Sequence, residues 1–128
     1  MEIIVTFLTE AIPRPVRFGV EGNDGALAEF YGIIRQEEAG ERIAGLNYEI
    51  YAHMAEKEIR RILGELRGNF PCRKVMVIHR HGFVPVGDAA IYVGVLSRHR
   101  QEGFGLLSAF MDRLKKDVPI WKVGAVSC

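Results

Sequence analysis

Five side chains carry the chemical potential of this chain: Arg35, His99, Arg100, Lys115 and Lys122. They form a cationic set with no nucleophile–base pair, and no GxSxG, P-loop or GxGxxG pattern accompanies them. Such a set suits a ligand that bears phosphate or carboxylate.

The stretch RLKKDVPIWK, residues 113–122, crowds Lys115, Lys116 and Lys122 around Pro119, Ile120 and Trp121. Each helical residue turns by about 100°, so Phe104, Leu107, Phe110, Met111 and Leu114 fall on one apolar stripe. Lys115 then lies roughly 90° from the stripe's centre and Lys116 nearly opposite it. Lys115 can run its stem along the core and present its amine at a cleft rim, half buried. Lys116 belongs to water. The alternative is that lysines near a helix C-terminus merely complement the helix dipole.

SRHRQEGF, residues 97–104, places His99 and Arg100 where a strand gives way to a helix. Free backbone N–H groups there favour an anion, and Arg100 adds a bidentate donor. Ser97 could instead cap the helix with no ligand involved. Arg35 ends the strand FYGIIR, where Gly32 admits a close approach, although a strand-end arginine is ordinarily solvated. His79 and His81 share one face of a strand, yet no third ligand has suitable spacing, so no metal is expected. Cys128 is either a sulfur-carrying thiol or a frayed end.

The elements that must position these residues follow from periodicity. EIIVTFLT (2–9), ALAEFYGIIR (26–35) and RIAGLNYEIY (42–51) read as strands, with EEAGER turning the chain between the last two. Ala55, Ile59, Ile62, Leu63 and Leu66 then keep helical spacing, and Gly68 with Asn69 suits the helix stop. CRKVMVIHRHG (72–82) is a strand, VPVGD a turn, and AAIYVGVLS (89–97) a strand apolar on both faces, hence central. A last helix spans about 100–117 until Pro119 blocks it, and Lys122 follows in an extended segment. The order, roughly βββαββα, gives an α+β fold with a mixed or antiparallel sheet and two main helices.

The 128 residues suit one domain, 1–128, and 48% of them are apolar, enough for a core. A formal net charge of +1 provides no global field for nucleic acid, so anion sites must be local. Two cysteines, Cys72 and Cys128, make no disulfide framework and suit a reducing compartment. The opening MEIIVTFLTE is too short and acidic for a signal peptide. No apolar run approaches the roughly 20 residues of a membrane span. The expectation is a cytoplasmic protein.

FYGIIR, YEIYAHMAEKEI, VIHRHGFVPVGDAAIYVGVLSRHR and MDRLKKDVPIWK, in this order from about residue 24 to 122, resemble the MoaE family, the large subunits of molybdopterin synthase. The resemblance implies an α/β-hammerhead-type fold and a homodimer within a heterotetramer. It implies a small ubiquitin-like sulfur-carrier subunit (MoaD-like) whose C-terminal Gly-Gly bears a thiocarboxylate. Its sulfur would pass to cyclic pyranopterin monophosphate, twice, to make the dithiolene, with no further cofactor. By position, the resemblance assigns the catalytic role to Lys115 and Lys122. It assigns substrate binding to Arg35, His99 and Arg100, with Ile33, Ile34, Val123 and Gly124 beside them. The sequence departs from the family after Lys122: relatives commonly read WKKE and run on, whereas here the stretch is WKVGAVSC.

Geometry adds one more expectation. Fifteen helical residues between Arg100 and Lys115 span roughly 22 Å, too far for both to meet one pterin-sized ligand. A two-fold dimer resolves this if the start of one helix lies beside the end of its mate. Each pocket would then take Arg35, Lys115 and Lys122 from one subunit and His99 with Arg100 from the other. The rivals are a binding module without turnover and a structural dimer with a basic rim.

Overall fold

The computed structural model describes all 128 residues. Strands β1 (Glu2–Leu8), β2 (Ala26–Ile33), β3 (Glu37–Glu38) and β4 (Glu41–Ile50) precede helix α1 (Ala52–Leu66). Strands β5 (Lys74–Arg80), β6 (Gly82–Pro85) and β7 (Ala89–Ser97), helix α2 (Arg100–Asp117) and strand β8 (Ile120–Ser127) follow.

A strand with no polar face must be covered on both sides, and all nine residues of β7 are buried. It lies inside a four-stranded sheet ordered β1-β5-β7-β2, parallel between β1 and β5 and antiparallel elsewhere. On one face Val75 and Val77 of β5 and Ile91, Val93 and Val95 of β7 pack with Ile59, Ile62 and Leu63 of α1 and Leu106, Phe110 and Leu114 of α2. On the other face Tyr92 and Leu96 pack with Ile12 and Phe18 of the long β1–β2 connection.

The second sheet is built on β4, which pairs with β3, β6 and β8, all antiparallel. The α+β class and two-helix architecture are those expected, with three strands more. VPVGD is not all turn: β6 takes Gly82–Pro85 into the second sheet, leaving the turn at 86–88. β3 occupies part of the expected EEAGER turn, and the segment after Pro119 becomes β8. β2 ends at Ile33, after a register shift at Gly32/Ile33, because the backbone of Ile34 bonds instead to Asp88 and Gly87.

α2 sits one residue off the expected stripe. Its buried line is Gly103, Leu106, Phe110 and Leu114, while Phe104 is exposed. Gly103 explains the shift: a Cβ there would stand 2.9 Å from Ser97 Oγ and 3.6 Å from Ala28 Cβ, so the helix rests on the sheet at this point. Phe104, Leu107, Met111 and Lys115 consequently share an outer flank at spacings of three and four. No helix is long and apolar enough to cross a membrane.

Candidate active site

Pro119 ends α2, and the chain turns back into β8 through the Tyr51 N–H bond to the Pro119 carbonyl. Trp121 packs edge-on against Tyr51 at 4.9 Å between ring centroids. β8 then runs along β4 with Lys122 opposite Tyr48. A register shift follows, so Asn47 faces Gly124 and Val123 is the extra residue. Bulges of this kind re-aim side chains beside functional sites.

This path closes a cavity of about 330 Å³ lined by Tyr48, His79, Ile91, Met111, Leu114, Lys115, Ile120 and Lys122. It sits where the two sheets and the end of α2 meet. Arg113 helps hold that end by donating to Glu65 of α1 at 2.8 Å. A second cavity of about 350 Å³ adjoins it, sharing Met111 and Lys115, and is lined further by Phe30, Phe104 and Leu107.

The structure therefore brings Lys115 and Lys122 together. Lys116 lines neither cavity, so the two neighbouring lysines differ in surroundings as expected. Lys115 is exposed, however, not half buried, because the rotation of α2 carries it outward with Phe104. Lys122 Nζ stands 3.5 Å from Glu38 Oε1 of β3. Glu38 also faces Tyr48, whose hydroxyl is pushed above its ordinary pKa by burial and then by that carboxylate.

Arg35, His99 and Arg100 are exposed and line neither cavity. Ser97 does not cap α2: its hydroxyl is buried and donates to the His99 carbonyl at 2.7 Å. The helix start is left without a side-chain cap, and its free N–H groups face solvent or a ligand. Ile34 is a core residue, packed with Ile43, Leu46, Val84 and Ala90. Ile33, Val123 and Gly124 line neither cavity, and Ile33 and Val123 are exposed. The group that approaches Gly32 is the Ile91 side chain, since a Cβ there would stand 2.7 Å from Ile91 Cγ2.

His79 was not among the expected site residues, although it lines the cavity and is only 4% exposed. Its signal lay in the alternation of β5: Val75, Val77 and His79 share a face, and the first two are core. Its Nδ1 lies 2.8 Å from the Arg80 carbonyl oxygen, which only accepts, so Nδ1 carries the proton. Burial, with His81 adding to it, pushes the imidazole down to about 4. His79 is therefore neutral at pH 7, with Nε2 an acceptor. Cys72, outside the cavity, is pushed up to about 11 by burial and the Glu102 carboxylate, and remains a thiol.

Two ammonium groups on apolar walls, with one neutral acceptor, can hold an anionic tail beside a heterocycle. The family described as MoaE protein matches residues 8–117. The molybdopterin synthase catalytic subunit of Homo sapiens is 41% identical over 98 residues, 77% of this chain and 52% of that protein. That of Escherichia coli (strain K12) is 37% identical over 117 residues, 86% of this chain and 78% of that protein. The chain thus spans about half the length of the mammalian relatives it matches. In structure, molybdopterin synthase from Staphylococcus aureus aligns with a TM-score of 0.81 at 29% identity, covering 98% of this chain and 93% of that one. With the family matched over residues 8–117 and relatives above 30% identity over more than two thirds of this chain, the chain belongs to the MoaE family.

Proposed function

We propose that this chain is the catalytic subunit of a molybdopterin synthase. It would take sulfur from the thiocarboxylated C-terminus of a small ubiquitin-like subunit and pass it to cyclic pyranopterin monophosphate. The observation that carries this reading is the cavity in which Lys115 and Lys122 converge on apolar walls, in a member of the MoaE family. A thiocarboxylate and a phosphate are both anions, and a partly dry pocket strengthens their attraction to fixed ammonium groups. Lys115 is the central group: it pairs with the thiocarboxylate and stabilises charge that develops as sulfur moves. An amine freed of its proton would also serve as base or transient acyl acceptor. Lys122 holds the tail from the opposite strand. Two free cysteines suit a cytoplasmic enzyme.

The phosphate and pterin fall to Arg35, His99 and Arg100, none of which lines the cavity in one chain. A homodimer completes the site. Phe104 and Phe30 are exposed on the face beside Lys115, and a second copy of that face would cover them while bringing its own helix start to the rim. Within this assembly the pocket takes Arg35, Lys115 and Lys122 from one subunit, and His99 with Arg100 from its mate. One small subunit on each large one then gives a heterotetramer.

The test is a complementation assay for dithiolene product with the thiocarboxylated small subunit and the cyclic pterin. Arg100→Ala and Lys115→Ala chains are each expected to be inactive. After subunit exchange, the mixed dimer regains one intact pocket of its two. Confirmed exchange without returned activity would place the pocket in one chain. Binding of both substrates by the wild-type chain without product would make it a docking module.

A further inference from the structure

The reaction just described uses the cavity's cations and leaves its buried histidine idle. Every charged group that lines the cavity, Lys115 and Lys122, can only donate hydrogen bonds. The ammonium groups read only negative charge, and the Tyr48 hydroxyl can turn to donate or to accept as a ligand requires. His79 adds a group that can only accept. Its ring is fixed on three sides: Nδ1 donates to the Arg80 carbonyl at 2.8 Å, the Tyr48 ring meets it edge-on at 5.2 Å, and β5 holds its backbone against Ile91 of β7. Nε2 has no hydrogen-bond partner within the protein and is not sealed from solvent, in a residue that is itself buried and lines the cavity. An imidazole so placed, with one nitrogen committed and the other unpaired, presents a single acceptor at a fixed position.

We propose that His79 Nε2 accepts a hydrogen bond from a ring or amino N–H of the pterin, and so helps select the heterocycle within a pocket whose cations read only negative charge; this rests on the synthase reading above. The titratable groups around it are Tyr48, Lys115 and Lys122 across the cavity and His81 on its own segment. Burial, with His81 adding to it, keeps His79 uncharged near neutral pH, which preserves Nε2 as an acceptor.

Titration calorimetry on the full chain separates the two binding modes with two probes. One is a reduced pterin without phosphate; the other is a peptide ending in Gly-Gly with a free carboxylate. His79→Phe keeps a flat ring and removes the acceptor. It is expected to weaken pterin binding about tenfold, the cost of leaving one N–H unpaired, while peptide affinity stays within about twofold. His79→Gln, whose amide oxygen reaches near the Nε2 position, restores most of the loss. The Nε2 nitrogen resonance should move on adding pterin and not on adding peptide. Unchanged pterin binding in His79→Phe, or equal losses for both probes, would overturn the proposal. Should His79→Phe not fold, His79→Gln and His79→Asn decide the matter, since the shorter amide cannot reach the Nε2 position; equal pterin affinities would overturn it. A wild-type chain that binds the peptide but no pterin would sink the synthase reading itself, and this inference with it.

Discussion

The two sides of the cavity are made differently. Its inner wall, His79 and Ile91 with Leu114, belongs to the large sheet and the helix packed on it, and is buried. Its rim, Lys115 and Lys122 with Glu38 nearby, sits on a helix edge and on the small sheet, where β8 is exposed from Trp121 onward. Wall residues are placed by close packing, so changing them alters stability and function together. Rim residues end in long flexible stems, so their charges can change with little cost to the fold. Any binding or catalysis on the rim is therefore separable from stability, and on the wall it is not.

The largest effect should fall on Lys115. Lys115→Ala is expected to lower synthase turnover about a hundredfold or more, the scale seen when a charge-stabilising donor is removed. Its thermal midpoint should hold, since exposed substitutions usually stay within about 0.5 kcal/mol. Lys116→Ala, one residue along and outside both cavities, should retain most activity. Lys115→Arg should also fail, because a planar guanidinium does not replace a compact amine. Equal turnover for the Lys115→Ala and Lys116→Ala chains would erase the distinction between rim and helix end.

The wall makes the opposite prediction, for stability. Folded His79 stays unprotonated down to about pH 4, whereas an unfolded imidazole takes up a proton below about 6.5. The unfolded chain thus binds more protons in that window, and stability must fall as pH drops. Between about pH 6.5 and 4.5 the loss approaches 2–3 kcal/mol, near 1.4 kcal/mol per unit at its steepest. Chemical denaturation at several pH values measures it. His79→Phe should flatten the slope, and an unchanged slope would mean that His79 is not a buried neutral group.

Much of this division was legible in the sequence, and the limits have physical causes. β7 and α2 were readable to the residue because an unbroken apolar run and a proline stop leave little alternative. The rotation of α2 was not, because the wheel weights large apolar residues and Gly103 has no side chain to count. β6 was missed because four residues are too few to show a period, and β8 was anticipated only as an extended segment because its residues are exposed from Trp121 onward and show no alternation of burial. Of the cavity's lining, Lys115 was legible from the helix wheel and Lys122 from the stretch after Pro119. His79 was weighed only as a metal ligand, although its place in the alternation of β5 marked it as inward. Tyr48 and Glu38 reach the site by strand pairing with β8 and by a hairpin turn, long-range contacts that no local pattern encodes.

The smallest predicted effect tests how the rim is set in the absence of a ligand. Glu38 Oε1 lies 3.5 Å from Lys122 Nζ, and the two side chains are 32% and 51% exposed. An ion pair so open to water contributes at most about 1 kcal/mol, so Glu38 adds little to the fold. What it does is occupy Lys122. On the proposed function an incoming carboxylate or thiocarboxylate would compete with it, and would also approach its negative charge. Glu38→Gln removes both obstacles and keeps the side chain's size. Affinity for a peptide ending in Gly-Gly should then rise about two- to fivefold at low ionic strength, within the range of one exposed pair. Salt should shrink the gain, because at 1 M the screening length falls to about 3 Å. Lys122→Ala should abolish it, since Glu38 would have no cation to withhold. A Glu38→Gln chain that binds the peptide more weakly than wild type would mean that Glu38 orients Lys122 for the ligand instead of competing for it.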